Sequence, residues 1–278
     1  MHSFFSSDRN GPMNQIRAIA FDLFNTLITV EPQTLEDANK RLFASLSEGG
    51  FKLDADSFRR AHREAAIRHI EQSRKDGRET HNRFWISDAL EEQGYHVSPD
   101  DSHIAAAVEA YFSAFLDHCR LLPRTKEMLA ALQPSYRLGL LTNFTHGPAA
   151  RKLLSHVGLD PFFEVVIISG ELGYRKPHPH PFQELVKHLG VQSHQVIYVG
   201  DDPEPDILGA KQAGLNPVWT TYVRDQQIPF AAGVLYSEQQ NPEPGVPRIS
   251  SWDDLFPLLG RHEKRSWSIV IQQADELP

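Results

Sequence analysis

Four short stretches of this sequence carry residue types that could act together on a charged group. Asp22 stands near the end of IRAIAFDLF (residues 16–24), and Thr142 and Asn143 near the end of YRLGLLTNF (136–144). Lys176 lies in GYRKPHP (173–179), and Asp201, Asp202 and Asp206 lie in GDDPEPD (200–206). Acids in this number can hold a divalent cation, a lysine adds fixed positive charge, and hydroxyl and amide groups donate to anionic oxygens. Taken singly, each has an ordinary use. Asp22, Thr142 and Asn143 are good turn formers, Lys176 suits a solvated loop, and the three later acids suit a helix N-terminus. Their shared placement argues for a joint role, because all four stretches fall at the carboxyl ends of predicted strands.

Those strands are read from buried apolar runs. IRAIAFDLF is apolar enough for the middle of a sheet covered on both faces. After a helix at 125–132 come the strand at 136–144, a helix at 149–157 and the strand VVIIS at 165–169. A helix at 181–189, the strand VIYVGDD at 196–202, a helix at 206–213 and the strand PVWTTY at 217–222 complete the alternation. Such β-α-β succession implies an α/β fold with a Rossmann-like parallel sheet and a site at the strand ends.

Between the first and second of these strands the period changes to that of helices. Leu35, Ala38, Leu42 and Leu46 mark one stripe, and Phe58, Ala61, Ala65, Ala66 and Ile70 a second. Phe84, Trp85, Ala89 and Leu90 predict a third helix ending near Gly94, and Ile104, Val108, Phe112 and Phe115 a fourth starting near Ser98-Pro99. The expected organisation is a flexible extension at 1–14, a core at 15–32 and 120–260, an inserted helical cap at 33–119, and a C-terminal extension at 261–278. Residues 223–247 read as a long loop and SSWDDLFPLL as a closing helix capped by Ser250 or Ser251. Ser268–Ile271 would be an edge strand or a partner-binding tail.

Composition narrows the partners. The 278 residues are 40% apolar and 23% charged, ordinary for a globular protein, and their formal charge of −8 argues against nucleic acid or an anionic membrane as partner. No apolar segment reaches transmembrane length. The single cysteine, Cys119, fits a reducing cytoplasm, and the opening MHSFFSSDRNGPM lacks the apolar core of a signal peptide. A small-molecule substrate is expected, while the oligomeric state is left open.

In this order the motifs resemble the haloacid dehalogenase-like (HAD) superfamily hydrolases, with an α-helical cap between the first and second motifs. The resemblance spans roughly residues 16–258 and includes the Lys176-Pro177 pair and the Gly209-Ala210-Lys211-Gln212-Ala213-Gly214 turn. It implies that Asp22 is a nucleophile, that Thr142 binds the transferring group, and that Lys176 stabilises nucleophile and intermediate. It further implies a Mg²⁺ ion held by Asp22, the Phe24 backbone carbonyl and Asp201, with Asp206 or Asp202 supporting through water. The physics agrees: a carboxylate attacks an anionic phosphate ester only when cations neutralise the developing charge. The Thr142 hydroxyl and Asn143 N–H would donate to the phosphoryl oxygens.

Phe24 departs from the pattern. The superfamily's phosphatases usually carry a second Asp two residues after the nucleophile, and losing a general acid–base group typically costs ~10²–10⁴-fold in rate. Its dehalogenases carry an aromatic there, since a halide needs no proton to leave. They also work without metal and hold the substrate carboxylate with an arginine, for which Arg41 and Arg83 are candidates. GDDPEPD keeps the acids a magnesium site needs. The reading is therefore a magnesium-dependent phosphohydrolase acting through an aspartyl-phosphate, slow on alkyl phosphates or directed to good leaving groups such as acyl phosphates. A metal-free 2-haloacid dehalogenase and a non-catalytic HAD-fold binding protein are the alternatives. Substrate choice would lie in the cap, where HNRFW (81–85) either faces the site or packs the cap's interior. His178 and His180 are expected to be exposed, and Tyr174 and Arg175 to orient Lys176.

Overall fold

The computed structural model describes residues 16–231 and 241–260. The predicted extension at 1–14 and the Ser268–Ile271 segment lie outside them. In chain order the elements are β1 (Ala18–Phe21), β2 (Ile28–Val30), α1 (Thr34–Glu48), α2 (Ala55–Asp76), α3 (Asn82–Glu92), α4 (Ser102–His118) and β3 (Cys119–Leu121). There follow α5 (Thr125–Leu132), β4 (Arg137–Thr142), α6 (Gly147–His156), β5 (Val165–Ile168), α7 (Ser169–Leu172), α8 (Pro179–Leu189) and β6 (Val196–Gly200). A π-helical turn (Pro203–Leu208) leads to α9 (Gly209–Gln212), β7 (Asn216–Thr220), α10 (Tyr222–Asp225), β8 (Arg248–Ile249) and α11 (Leu255–Leu258).

Among the described residues, six strands form one sheet in the order β5-β4-β1-β6-β7-β8, and every pairing in it is parallel. The expected Rossmann-like α/β core is thus present. All four residues of β1 are fully buried, as a central strand requires. Its alternation divides the interior: Ile19 and Phe21 pack on the side of α5, α6 and Trp252, while Ala18 and Ala20 face Phe182, Leu185 and Leu189 of α8. Register aligns Phe21 with Leu140 of β4 and with Val199 of β6. The strand ends that follow Phe21, Leu140 and Val199 therefore lie side by side at the carboxyl edge, where the strand order reverses about β1.

The four helices α1–α4 enter between β1 and β4, as the period change predicts. Leu42 and Leu46 of α1 pack with Ile104, Val108 and Phe112 of α4 in the same interior as the sheet's residues. Asp54 accepts the Ser57 N–H at 2.9 Å to start α2, and Asp101 accepts the His103 N–H at 2.8 Å to start α4. The fourth helix thus begins at Ser102, later than Ser98-Pro99, because the side chain with the right reach is Asp101. Trp85 is buried with Ala65 and Ala66 inside the helical insert, settling its expected role there as packing.

Three short strands escaped the sequence reading: β2, β3 and the two-residue β8. β2 and β3 pair antiparallel, with Ile28 opposite Leu121 and Val30 opposite Cys119, so the chain enters and leaves the helical insert along one ribbon. Three residues are too few to establish an alternating pattern. Strand ends are also shorter than predicted: β1 stops at Phe21 and β6 at Gly200. The helix expected at 206–213 starts earlier, as the π turn, because Asp202 caps it by accepting the Glu204 N–H at 3.2 Å. The short α10 leads into the 223–247 loop, and Ser251, one of the two serines expected, caps the closing turn in a capping box with Asp254, which accepts the Ser250 and Ser251 N–H groups at 2.9 Å.

Candidate active site

Lys176 forms the centre of the strand-end cluster. Its side chain is 2% exposed, and Nζ lies 2.6 Å from Asp22 Oδ1, 2.6 Å from Asp206 Oδ1, 2.8 Å from the Tyr198 hydroxyl and 3.1 Å from the Leu141 carbonyl. An ammonium has three protons to give. The Tyr198 hydroxyl is 2.9 Å from the same Leu141 carbonyl and donates there, so the three ammonium protons are directed at Asp22, Asp206 and Tyr198. This saturates Lys176 and fixes its direction. Tyr198 was missed in the sequence because a tyrosine within VIYVG reads as core; only its need for a hydrogen-bond partner signals otherwise.

Each participant is held from the backbone. The Asp22 N–H bonds to Val199 O at 2.9 Å, which sets the carboxylate at the β1–β6 edge. Asn143 brackets the Lys176 peptide: its Nδ2 donates to Lys176 O at 3.0 Å, and its Oδ1 accepts the Lys176 N–H at 2.8 Å. The loop after β4 and the loop bearing Lys176 are thereby tied. Asp206 packs under Gly200, where an added Cβ would lie 2.4 Å from the Asp206 Cγ, and its Oδ2 accepts the Asp202 N–H at 3.0 Å. Glycine is required there by close approach rather than by backbone conformation.

Oxygens of Asp22, Asp201 and Asp206 lie within 4.8 Å of one another. Three carboxylates against one lysine leave a formal surplus of two negative charges. Burial pushes the Asp22 carboxyl up to about 7, against the pull of Lys176, and burial with the charges of Asp206 and Asp22 pushes Asp201 well above the usual carboxylate range. Burial pulls Lys176 down, but Asp206 and Asp22 outweigh it and leave the ammonium raised. Among the described residues no hydrogen-bond donor meets the Asp201 carboxylate. An all-oxygen set with two uncompensated charges suits a hard divalent cation such as Mg²⁺. Asp202 sits beside this group as a cap, raised to about 6 chiefly by its own burial.

Thr142 ends β4 with its hydroxyl buried and without a partner, a donor left available at the strand edge. Thr26, in the turn after Asp22, has a second such hydroxyl that no local pattern singles out. The Phe24 ring stacks on Phe144 at 5.2 Å between centroids and meets Phe115 edge-on at 6.4 Å. The two arginines considered for a substrate carboxylate are both paired: Arg41 is bound to Asp37 and Asp117, and Arg83 to Asp100. His178 and His180 are half-buried rather than exposed, because both rings pack on Tyr174 at 4.9 and 4.8 Å. Arg175 turns to Glu79 of the helical insert.

This geometry is accompanied by sequence and structural likeness. The family model for haloacid dehalogenase-like hydrolases matches residues 16–214. A glyceraldehyde 3-phosphate phosphatase of Pyrococcus furiosus is 30% identical over 211 residues, 76% of this chain and 82% of the relative. One of Methanopyrus kandleri is 29% identical over 204 residues, 73% and 83% of the two chains. Among solved structures, a 2-haloacid dehalogenase from Pseudomonas syringae superimposes with a TM-score of 0.60 at 22% identity, covering 89% of this chain and all of that one. A HAD phosphatase from Thermococcus onnurineus gives 0.57 at 21% identity, covering 88% and 98%. With the profile over most of its length and relatives aligned across most of both chains, this chain belongs to the haloacid dehalogenase-like hydrolases.

Proposed function

We propose that the chain is a magnesium-dependent phosphohydrolase that transfers the phosphoryl group of a small phosphorylated molecule to Asp22 and then to water. The observation that carries this reading is the contact of Asp22 Oδ1 with the buried Lys176 ammonium at 2.6 Å, within reach of the Asp201 and Asp206 carboxylates. The relatives named as phosphatases support it. Asp22, Asp201, the Phe24 carbonyl and, through water, Asp206 would hold the ion, which supplies charge neutralisation at the transferring group. Lys176 would offset the remaining charge, while Thr142 and the Asn143 N–H would donate to phosphoryl oxygens. Attack by Asp22 forms an acyl phosphate and releases the leaving oxygen. Water then cleaves that intermediate, so one difficult displacement becomes two easier ones. The helical insert would act as the cap that excludes water and selects the substrate.

Phe24 shapes the substrate range. No side-chain proton is available from it for an alkoxide, so substrates whose leaving groups depart as stable anions are favoured, acyl and aryl phosphates above alkyl phosphates. Phe24 is also the observation that favours the second reading, hydrolysis of a carbon–halogen bond through an Asp22 ester. Against that reading, Arg41 and Arg83 are both committed to neighbouring acids. The test is turnover of acetyl phosphate, p-nitrophenyl phosphate, glycerol phosphate and 2-chloropropionate, each with Mg²⁺ and with chelator. Phosphate release that requires Mg²⁺ and ranks by leaving group is expected; halide release in chelator would favour the dehalogenase, and binding of Mg²⁺ without any turnover the non-catalytic alternative.

A further inference from the structure

We propose that Glu79, in the connection between α2 and α3, is a positioning residue: it fastens the helical insert to the two core loops that bear Asn143 and Lys176. The side chain of Glu79 is 2% exposed, although its neighbour Arg78 is exposed. Burying a carboxylate is costly unless it is fully partnered. Here its partners come from the core. Ser169 donates its hydroxyl to Oε2 at 2.6 Å, Arg175 donates Nη1 to Oε1 at 3.2 Å, and the Thr80 N–H adds a third bond at 3.0 Å.

Both core partners lead directly to the candidate site. The Ser169 hydroxyl accepts the Phe144 N–H at 2.8 Å, one residue beyond Asn143, and Arg175 precedes Lys176 in the chain. The backbones join as well, through Glu79 N–H to Gly173 O at 3.1 Å and Arg175 N–H to Gly77 O at 3.0 Å. Gly77 permits this approach twice over: its φ is +71°, and a Cβ there would lie 2.4 Å from the His178 ring. The Arg78 guanidinium covers the Tyr174 ring at 4.5 Å. One connection of the insert therefore grips the Lys176 loop by its backbone and the Phe144 loop through Ser169, and Asn143 ties those loops to each other. Release of Glu79 would free both at once.

A misplacement of about 1 Å at a reacting group can cost on the order of 10²-fold in rate. Glu79→Ala should therefore lower kcat on acetyl phosphate about 10- to 100-fold while KM moves less than about 3-fold. Glu79→Gln, which keeps one oxygen acceptor, should fall between. This arm rests on the phosphohydrolase reading, so two others are independent of it. Amide hydrogen exchange at Glu79 and Arg175 should accelerate at least tenfold in Glu79→Ala, with β6 amides unchanged. The side-chain ¹⁵N signal of Lys176, assigned by its loss in Lys176→Met, should shift or broaden. Should Glu79→Ala fold poorly, Ser169→Ala tests the same link from the core side. Unchanged exchange would overturn the fastening, and an unmoved Lys176 signal, or unchanged kcat in an active enzyme, would overturn the positioning role. If wild type is inactive on every phosphate while Glu79→Ala moves exchange and the Lys176 signal, the phosphohydrolase reading fails and the role of Glu79 stands.

Discussion

The rings of Phe24 and Phe144 lie 13° from parallel with centroids 5.2 Å apart, and this stack occupies the place two residues after Asp22. An acid introduced at this point would meet two aromatic rings, Phe144 and Phe115. Apolar surroundings favour the protonated carboxyl, the state a proton donor needs. Phe24→Asp is expected to raise turnover of alkyl phosphates by about 10- to 100-fold and of acetyl phosphate much less. It should also cost roughly 1–3 kcal/mol of stability through the lost ring contacts. Steady-state rates on the two substrates, with a urea melt of each protein, check both halves.

Asp22→Asn should abolish turnover of every substrate while raising metal-free stability. Asp22 is buried beside two other acids, and removing one of three negative charges relieves repulsion that burial makes expensive. A higher Tm in chelator together with no phosphate release is the expected pair of results. Surviving turnover would remove Asp22 from the chemistry.

The opposite change is Lys176→Met, which leaves the three acids without their cation. Loss of a buried partner of this kind typically costs about 3–5 kcal/mol. Mg²⁺ should offset part of that loss, and at one hundred times its Kd an ion adds about 2.7 kcal/mol to any protein it binds. Thermal melts with and without Mg²⁺ should show the shift in wild type, and Asp201→Asn should diminish it.

Asp22 and Asp201 were legible in the sequence because each follows a buried apolar run and the runs alternate with helices, while Asp206 stood out through its place in the same acidic GDDPEPD stretch. What escaped was partnership. Tyr198 and Asn143 look like a core residue and a turn former until Lys176 is seen to need an acceptor and a bracket. Glu79 sits among charges in RKDGRETHNR, where nothing local separates a buried carboxylate from a solvated one. The fold was clearer than the site for the same reason: periodicity is local, whereas the bond from Glu79 to Arg175 spans 96 residues.

His62 gives the helical insert a dependence on pH. It is 5% exposed, its Nε2 has no partner, and it stacks on Phe58. Burial pushes its pKa down to about 4 from 6.5. Since the unfolded chain binds the proton first, stability is full above pH 6.5 and falls as pH drops toward 4, by about 3 kcal/mol in total. Urea unfolding of wild type and His62→Phe at pH 7 and pH 4.5 should show a smaller loss in the variant.

The β2–β3 ribbon bears on how the insert can move at all. Because the outgoing and returning chains are bonded to each other between Ile28–Val30 and Cys119–Leu121, neither can be paid out or twisted independently of the other. A body hung on two separate threads can swivel, whereas one hung on a paired strip bends mainly about a single axis across it. Any movement of the insert against the core would then follow a hinge-like arc, and the α2–α3 connection would return to the same place on the Lys176 loop each time.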